Sequence, residues 1–190
     1  MKPIERGEVL GLAEYEAVRP HFRARVIDEK KKRRVALGPC ATALFENRDT
    51  VLLQIQEMLR TERITRDSAV QHEIDTYNAF IPGPSELSCT VMIEIDDAAE
   101  RERFLVAARG IEDSFAIASG GEAAAGRTTP DRVLEDRASA VLYLKFSLGA
   151  RAVEAIRRGE AVELSVDHAA YRASATLPAA LVRELAEDLA

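Results

Sequence analysis

Residues Ile81-Pro82-Gly83-Pro84 break this 190-residue chain into two parts that no single helix or strand spans. Two prolines around a glycine remove two backbone donors and fix φ twice, so neither a helix nor a central strand runs through them. Upstream, apolar residues recur at helical spacing. Downstream, short β-rich runs alternate with short helical ones.

In the upstream part, Leu12, Tyr15, Val18, Phe22 and Val26 form one apolar stripe, which predicts a helix over 12–34. The stripe keeps its register through Pro20, so one kinked helix is expected there. Its last turn, Lys30-Lys31-Lys32-Arg33, places cations at the negative end of the helix dipole. Residues 34–37 and 41–46 read as two short strands around Gly38-Pro39, a small hairpin. Asp49 or Thr50 suits the N-cap of a helix over 51–63, and Asp67 opens a second helix to about Asn78. The short link between them suits an antiparallel helix pair.

Beyond Pro84, strands are predicted at 87–95, 113–119, 138–148, 160–167 and 171–177. Helices are predicted at 98–109, 150–158 and from Pro178 onward, and Gly120 to Arg132 lacks periodicity and reads as a loop. The expected class is α+β, with N-terminal helices and the helix pair packed on a largely antiparallel sheet. The C-terminal half is expected to be ferredoxin-like, βαβ-βαβ. The expected division is a mainly helical subdomain with a short hairpin over 1–84 and an α+β sheet subdomain over 85–190, together one compact domain.

Composition matters at three points. Aromatic residues are 5% with no Trp, which disfavours stacking platforms for bases or sugars. Cys40 and Cys89 are far apart and flanked by apolar or small residues, the pattern of reduced structural thiols. No run approaches the ~20 apolar residues of a membrane span, and the opening residues do not form a signal peptide, so a cytoplasmic protein is expected. Charge is polarised: residues 19–34 hold eight Lys/Arg against two acids, on a chain of net charge −6. A basic arm on an acidic body argues against nucleic acid and for an acidic protein surface or a small anionic ligand.

Candidate site residues follow from helix faces. At 100° per residue, Val51, Leu52, Ile55, Met58 and Leu59 share one arc, and Glu62 falls inside it. A carboxylate there needs a partner or a raised pKa if buried, and is simply solvated if the helix ends before it. Gln54, Glu57 and Thr61 form one polar row and Gln56, Arg60 and Arg63 another, either a solvated face or a polar groove. His72 and Glu73 are neighbours pointing ~100° apart, so they do not chelate one ion alone. Asp167-His168 precedes Tyr171 at a strand end, where a carboxylate beside an imidazole orients a general base or, more simply, caps a turn. Lys30, Lys31, Arg33 and Arg34 form the anion- or partner-binding candidate. No nucleophile elbow, phosphate loop or metal-ligand spacing occurs, so no metal or cofactor is expected.

The set Tyr15…Arg19, Lys30…Arg33-Arg34-Val35-Ala36-Leu37-Gly38-Pro39, Phe45-Glu46-Asn47…Thr50…Gln54-Ile55-Gln56-Glu57-Met58-Leu59-Arg60…Glu62, Tyr77-Asn78…Ile81-Pro82 and Asp167-His168…Tyr171 resembles an uncharacterised bacterial domain-of-unknown-function family of about this length. The resemblance spans nearly the whole chain and supplies no activity. It implies an accessory role beside rubrerythrin-like and iron–sulfur or flavin oxidoreductases, although the chain has no cluster-binding cysteines. The leading expectation is therefore a non-catalytic accessory or binding protein, with self-association open. One alternative is a small enzyme or metal/cofactor binder using Glu57, Glu62, His72 and His168. A second is an anion or nucleic-acid binder through Lys30–Arg34.

Overall fold

A computed structural model describes residues 1–128 and 133–189. Helix α1 (Leu12–Lys32) passes through Pro20 as one helix, with Tyr15 and Val26 buried. Val18, in the middle of the expected stripe, is exposed, and the main helix neighbour of α1 is α2 (Arg48–Thr61). That helix begins three residues earlier than the sequence suggests. Asn47 Oδ1 accepts from the Thr50 backbone N–H at 3.0 Å, and Thr50 Oγ1 accepts from the Asn47 N–H at 2.9 Å. Such a reciprocal cap satisfies two otherwise orphaned donors. Helix α3 runs Asp67–Asn78, as its spacing predicts.

Strands β1 (Arg34–Ala36) and β2 (Ala41–Glu46) form the expected hairpin. Then follow β3 (Glu86–Ile93), α4 (Ala98–Ala107), β4 (Phe115–Ser119), β5 (Glu122–Arg127), β6 (Val141–Ser147), α5 (Ala150–Arg157), β7 (Glu163–His168), β8 (Tyr171–Thr176) and α6 (Ala179–Asp188). The sequence expectation fails at two linked places. The supposed loop 120–132 contains β5, while its residues 129–132 lie outside the described residues. The run Glu-Ala-Ala-Ala-Gly-Arg carries no β-branched or aromatic residue. It is a strand because β4 and β6 each offer it a ladder.

The ferredoxin-like arrangement is the second failure. The sheet has eight strands in the order β1-β2-β3-β6-β5-β4-β7-β8, and each neighbouring pair is antiparallel. Between β3 and β4 lie β6 and β5, so three antiparallel steps separate the strands that flank α4. The same holds for β6 and β7 around α5. Neither passage is the parallel crossover that a βαβ unit requires.

The sheet curls until its two ends almost meet. On β8, the buried Tyr171 donates its hydroxyl to the Leu37 carbonyl and accepts the Cys40 N–H at 3.4 Å. Gly38, at φ +74°, sits so close that a Cβ there would lie 2.5 Å from the Tyr171 hydroxyl oxygen. The result is a barrel-like α+β fold with a seam rather than a ferredoxin-like sheet. Its inner core joins Phe45, Cys89, Val91, Leu144, Phe146, Phe115 and Leu164 to Leu181 and Leu185 of α6.

A second core lies outside the barrel. Val51, Ile55 and Leu59 of α2 pack with Val70, Ile74 and Tyr77 of α3 and with Phe80 and Ile81. Tyr143 of β6 packs against this cluster from the sheet. The helix pair therefore covers the outer face of β2, β3 and β6, and the space it leaves open there forms the candidate site.

Candidate functional site

Strand register fixes which side chains share the outer face. Arg34 pairs with Leu44, Leu44 with Thr90, and Thr90 with Tyr143. Facing residues stand on the same side, so these four form one rung across three strand spacings, roughly 14 Å. The neighbouring rungs are Ala36–Thr42–Met92–Val141 and Glu46–Ser88–Lys145–Arg127. Above them, α2 contributes Val51 and Gln54, and the chain after α3 contributes Phe80. Phe80 stacks on Tyr143 with ring centroids 4.1 Å apart and planes 15° apart, closing one end.

Between sheet and helix lies a cleft of about 260 Å³ with a floor of Leu44, Met92, Val141 and Tyr143. Lys30, from the last turn of α1, and Arg34 also line it. Four of the five cations of 30–34 divide among three roles. Lys31 pairs with Asp28 at 2.7 Å on the surface. Arg33 turns inward, is buried, and binds both Asp188 oxygens at 2.6 and 2.9 Å. Lys30 and Arg34 have no acidic partner among the described residues, and both line the cleft.

Glu46 ends β2 inside the same cleft. Thr90 donates to Glu46 Oε1 at 2.6 Å, and the Thr50 hydroxyl donates to its Oε2. The Thr90 proton is thereby committed to Glu46, and the Thr50 proton is shared between Glu46 and the Asn47 carbonyl 3.0 Å away. Glu46, Thr90, Met92 and Tyr143 were missed by sequence reasoning. Their only signal is the alternation Thr42–Leu44–Glu46 and Thr90–Met92, which becomes informative once the helix pair is known to cover that face.

The other sequence candidates lie elsewhere. Glu57 points at α1: Tyr15 donates to Oε1 at 2.6 Å, and Arg19 spans both oxygens at 2.7 and 2.9 Å. The hydrogen bonds from Arg19 hold its pKa down at about 2 against the opposing effect of burial. Burial, reinforced by Glu57, pushes Tyr15 upward. Arg60 reaches back to Glu16 at 2.6 Å. These residues clamp α1 to α2. Glu62 is the exposed C-cap of α2, outside the apolar arc because the helix ends at Thr61. His72 is exposed on α3. Asp167 pairs with Arg172 at 2.7 Å in solvent, and His168 Nδ1 accepts the Ala170 N–H at 3.1 Å across the β7–β8 turn. Tyr171 is the barrel latch. Glu57, Glu62, His72 and His168 thus stand on different faces.

Among the described residues, no group of three His, Cys, Asp or Glu is placed to hold a metal ion. No described helix is long and apolar enough to cross a membrane. Cys89 is fully buried with its thiol pushed up by desolvation, and Cys40 is half-buried. The cleft gathers two cations without an acidic partner among the described residues, one oriented carboxylate, an amide and an apolar floor.

The sequence model of a family described as "Protein of unknown function (DUF3501)" matches residues 3–189. A crystal structure described as a novel protein of unknown function, from Burkholderia pseudomallei K96243, is 32% identical and covers 100% of both chains with a TM-score of 0.93. No protein of curated function matches the sequence.

Proposed function

The chain belongs to the DUF3501 family of proteins of unknown function, and from that premise we propose that it is a non-catalytic binding protein for a small anionic ligand, held in the cleft under α2. The observation that carries this reading is the convergence of Lys30 and Arg34, both without an acidic partner among the described residues, on one apolar-floored cleft. Unpaired cations at the mouth of a concave apolar site favour an anion that is partly desolvated on entry. At about 260 Å³ the cleft suits a metabolite-sized molecule better than a protein side.

Non-catalytic action is supported by where the titratable groups stand. Glu57 is consumed by Arg19 and Tyr15, and the histidines lie on separate elements, His21 and His72 exposed and His168 half-buried. An accessory place in a redox system, implied by the family resemblance, draws no support from the two free cysteines.

The test is a thermal-shift panel of small carboxylates and phosphate esters on the full chain and on Lys30→Ala/Arg34→Ala. A ligand at a hundred times its Kd stabilises by about 2.7 kcal/mol, which raises Tm by roughly 5–10 °C for a chain of this length. At least one anion should shift the wild type and leave the double variant unmoved. A panel without a shift, or equal shifts in both proteins, overturns the reading.

A further inference from the structure

The anion-binding reading leaves one feature of the cleft unused. Arg34 faces Leu44 across the β1–β2 ladder, and Glu46 lies two residues further along the same strand on the same face. Diagonal neighbours of this kind stand about 7–8 Å apart at the backbone, within reach of two long side chains. Opposite charges so placed on a surface ordinarily close into an ion pair. Here no such pair forms within 4 Å among the described residues.

The reason is visible at Glu46. Its two oxygens are each taken by a threonine hydroxyl, Thr90 from β3 and Thr50 from the first turn of α2. The carboxylate is tethered toward strand and helix rather than toward Arg34. A carboxylate has about four acceptor sites, so two remain after the threonines have donated. They stay open to other donors on this half-buried residue, since neither threonine has a second proton to give. Across the cleft, Lys30 and Arg34 offer donors with no carboxylate to take them.

We propose that the cleft takes a zwitterion, a primary amine and a carboxylate on one small apolar body, the chemistry of an apolar α-amino acid. The carboxylate lies against Lys30 and Arg34. The ammonium donates to the free lone pairs of Glu46. The apolar body rests on Met92, Val141 and Tyr143. This rests on the anion-binding reading and deepens it by assigning the second charge. It also assigns the Thr50–Glu46–Thr90 tether a purpose: it keeps the cleft's own charges apart, so the ligand's dipole completes both.

Three matched probes separate the terms in calorimetric titration of the full chain: L-phenylalanine, 3-phenylpropionate, which lacks the amine, and phenethylamine, which lacks the carboxylate. L-Phenylalanine should bind about tenfold or more tighter than either, the increment of one charge-assisted hydrogen bond. Glu46→Gln should weaken L-phenylalanine by a similar factor and leave 3-phenylpropionate within about twofold. The wild-type comparison stands even if the variant folds poorly. Equal binding of L-phenylalanine and 3-phenylpropionate overturns the zwitterion and leaves the anion reading intact. Equal loss of both probes in Glu46→Gln overturns the assignment of the amine to Glu46. No binding of L-phenylalanine overturns the proposal. Only a silent anion panel as well removes the underlying reading.

Discussion

Replacing Arg33 with methionine tests how the two ends of the chain are joined. Arg33 follows α1, is 2% exposed, and holds Asp188 at the end of α6 through two hydrogen bonds of 2.6 and 2.9 Å. Its Nε lies 3.3 Å from Glu29, and its Nη2 lies 3.7 Å from Glu184. Methionine keeps most of the volume and removes the charge, leaving three carboxylates around an apolar side chain. Breaking a buried pair from one side costs about 3–5 kcal/mol. That is a large share of the ~5–15 kcal/mol that holds a typical domain folded. At about 2–4 °C per kcal/mol, Tm should fall by roughly 6–20 °C.

The pH dependence has a definite sign. Burial raises the Asp188 pKa above its ordinary 3.8, while the hydrogen bonds and charge of Arg33 pull it down and Glu29 and Glu184 push it up. Without Arg33 the remaining influences all raise it. A carboxyl group with a raised folded pKa costs stability as pH climbs from its unfolded value to its folded one. The deficit of Arg33→Met is therefore complete near neutrality and shrinks as pH falls toward about 4. Urea denaturation at about pH 7 and about pH 5 reads both effects. Arg33→Met/Asp188→Leu should recover most of the loss, since removing both partners of a buried pair is often close to neutral. A deficit below about 1 kcal/mol, one that does not change with pH, or losses that simply add would refute the buried-pair account.

Two further outcomes follow from the geometry. Because Arg19 holds the Glu57 pKa down at about 2, from an ordinary 4.5, its contribution is present above the unfolded value and lost as pH falls through the folded one. Wild-type urea midpoints should therefore drop between those two pH values, and Glu57→Gln should flatten that slope; parallel curves would contradict it. Tyr171→Phe deletes the hydroxyl that joins β8 to the β1–β2 turn, at an expected cost of about 1–2 kcal/mol. Amide exchange should quicken at residues 37–41, and unchanged protection there would mean that the seam closes without the hydroxyl.

The sequence makes local structure legible and long-range pairing largely opaque. Helix α3 runs where its period places it, although Arg66 and not Asp67 stands at its N-cap, and the β1–β2 hairpin follows from Gly38-Pro39. Strand β5 carries only Ala, Gly and two charged ends, so nothing local marks it. With β5 unseen, β3 and β4 look like the arms of one crossover, which is why a ferredoxin-like order is expected and a curled eight-stranded sheet is found. The candidate site divides in the same way. Lys30, Arg34 and Gln54 meet in one cleft, whereas Glu57 and Arg60 turn to partners 38 to 44 residues away on α1. A helix wheel shows which residues share a face. It does not show whether that face meets solvent, a second helix or a ligand.

Strands β2, β3 and β6 have a core on each side, and their alternation therefore separates two kinds of inheritance. Ala43, Phe45, Cys89, Val91, Leu144 and Phe146 look inward and answer to the barrel. Leu44, Glu46, Thr90, Met92, Val141 and Tyr143 look outward and line the cleft. Every second residue can then drift under a separate selective pressure, so a lineage can reshape its cleft while its barrel stays still. Comparing inward with outward positions across relatives would show the two rates directly, as fast and slow residues interleaved along the same three strands.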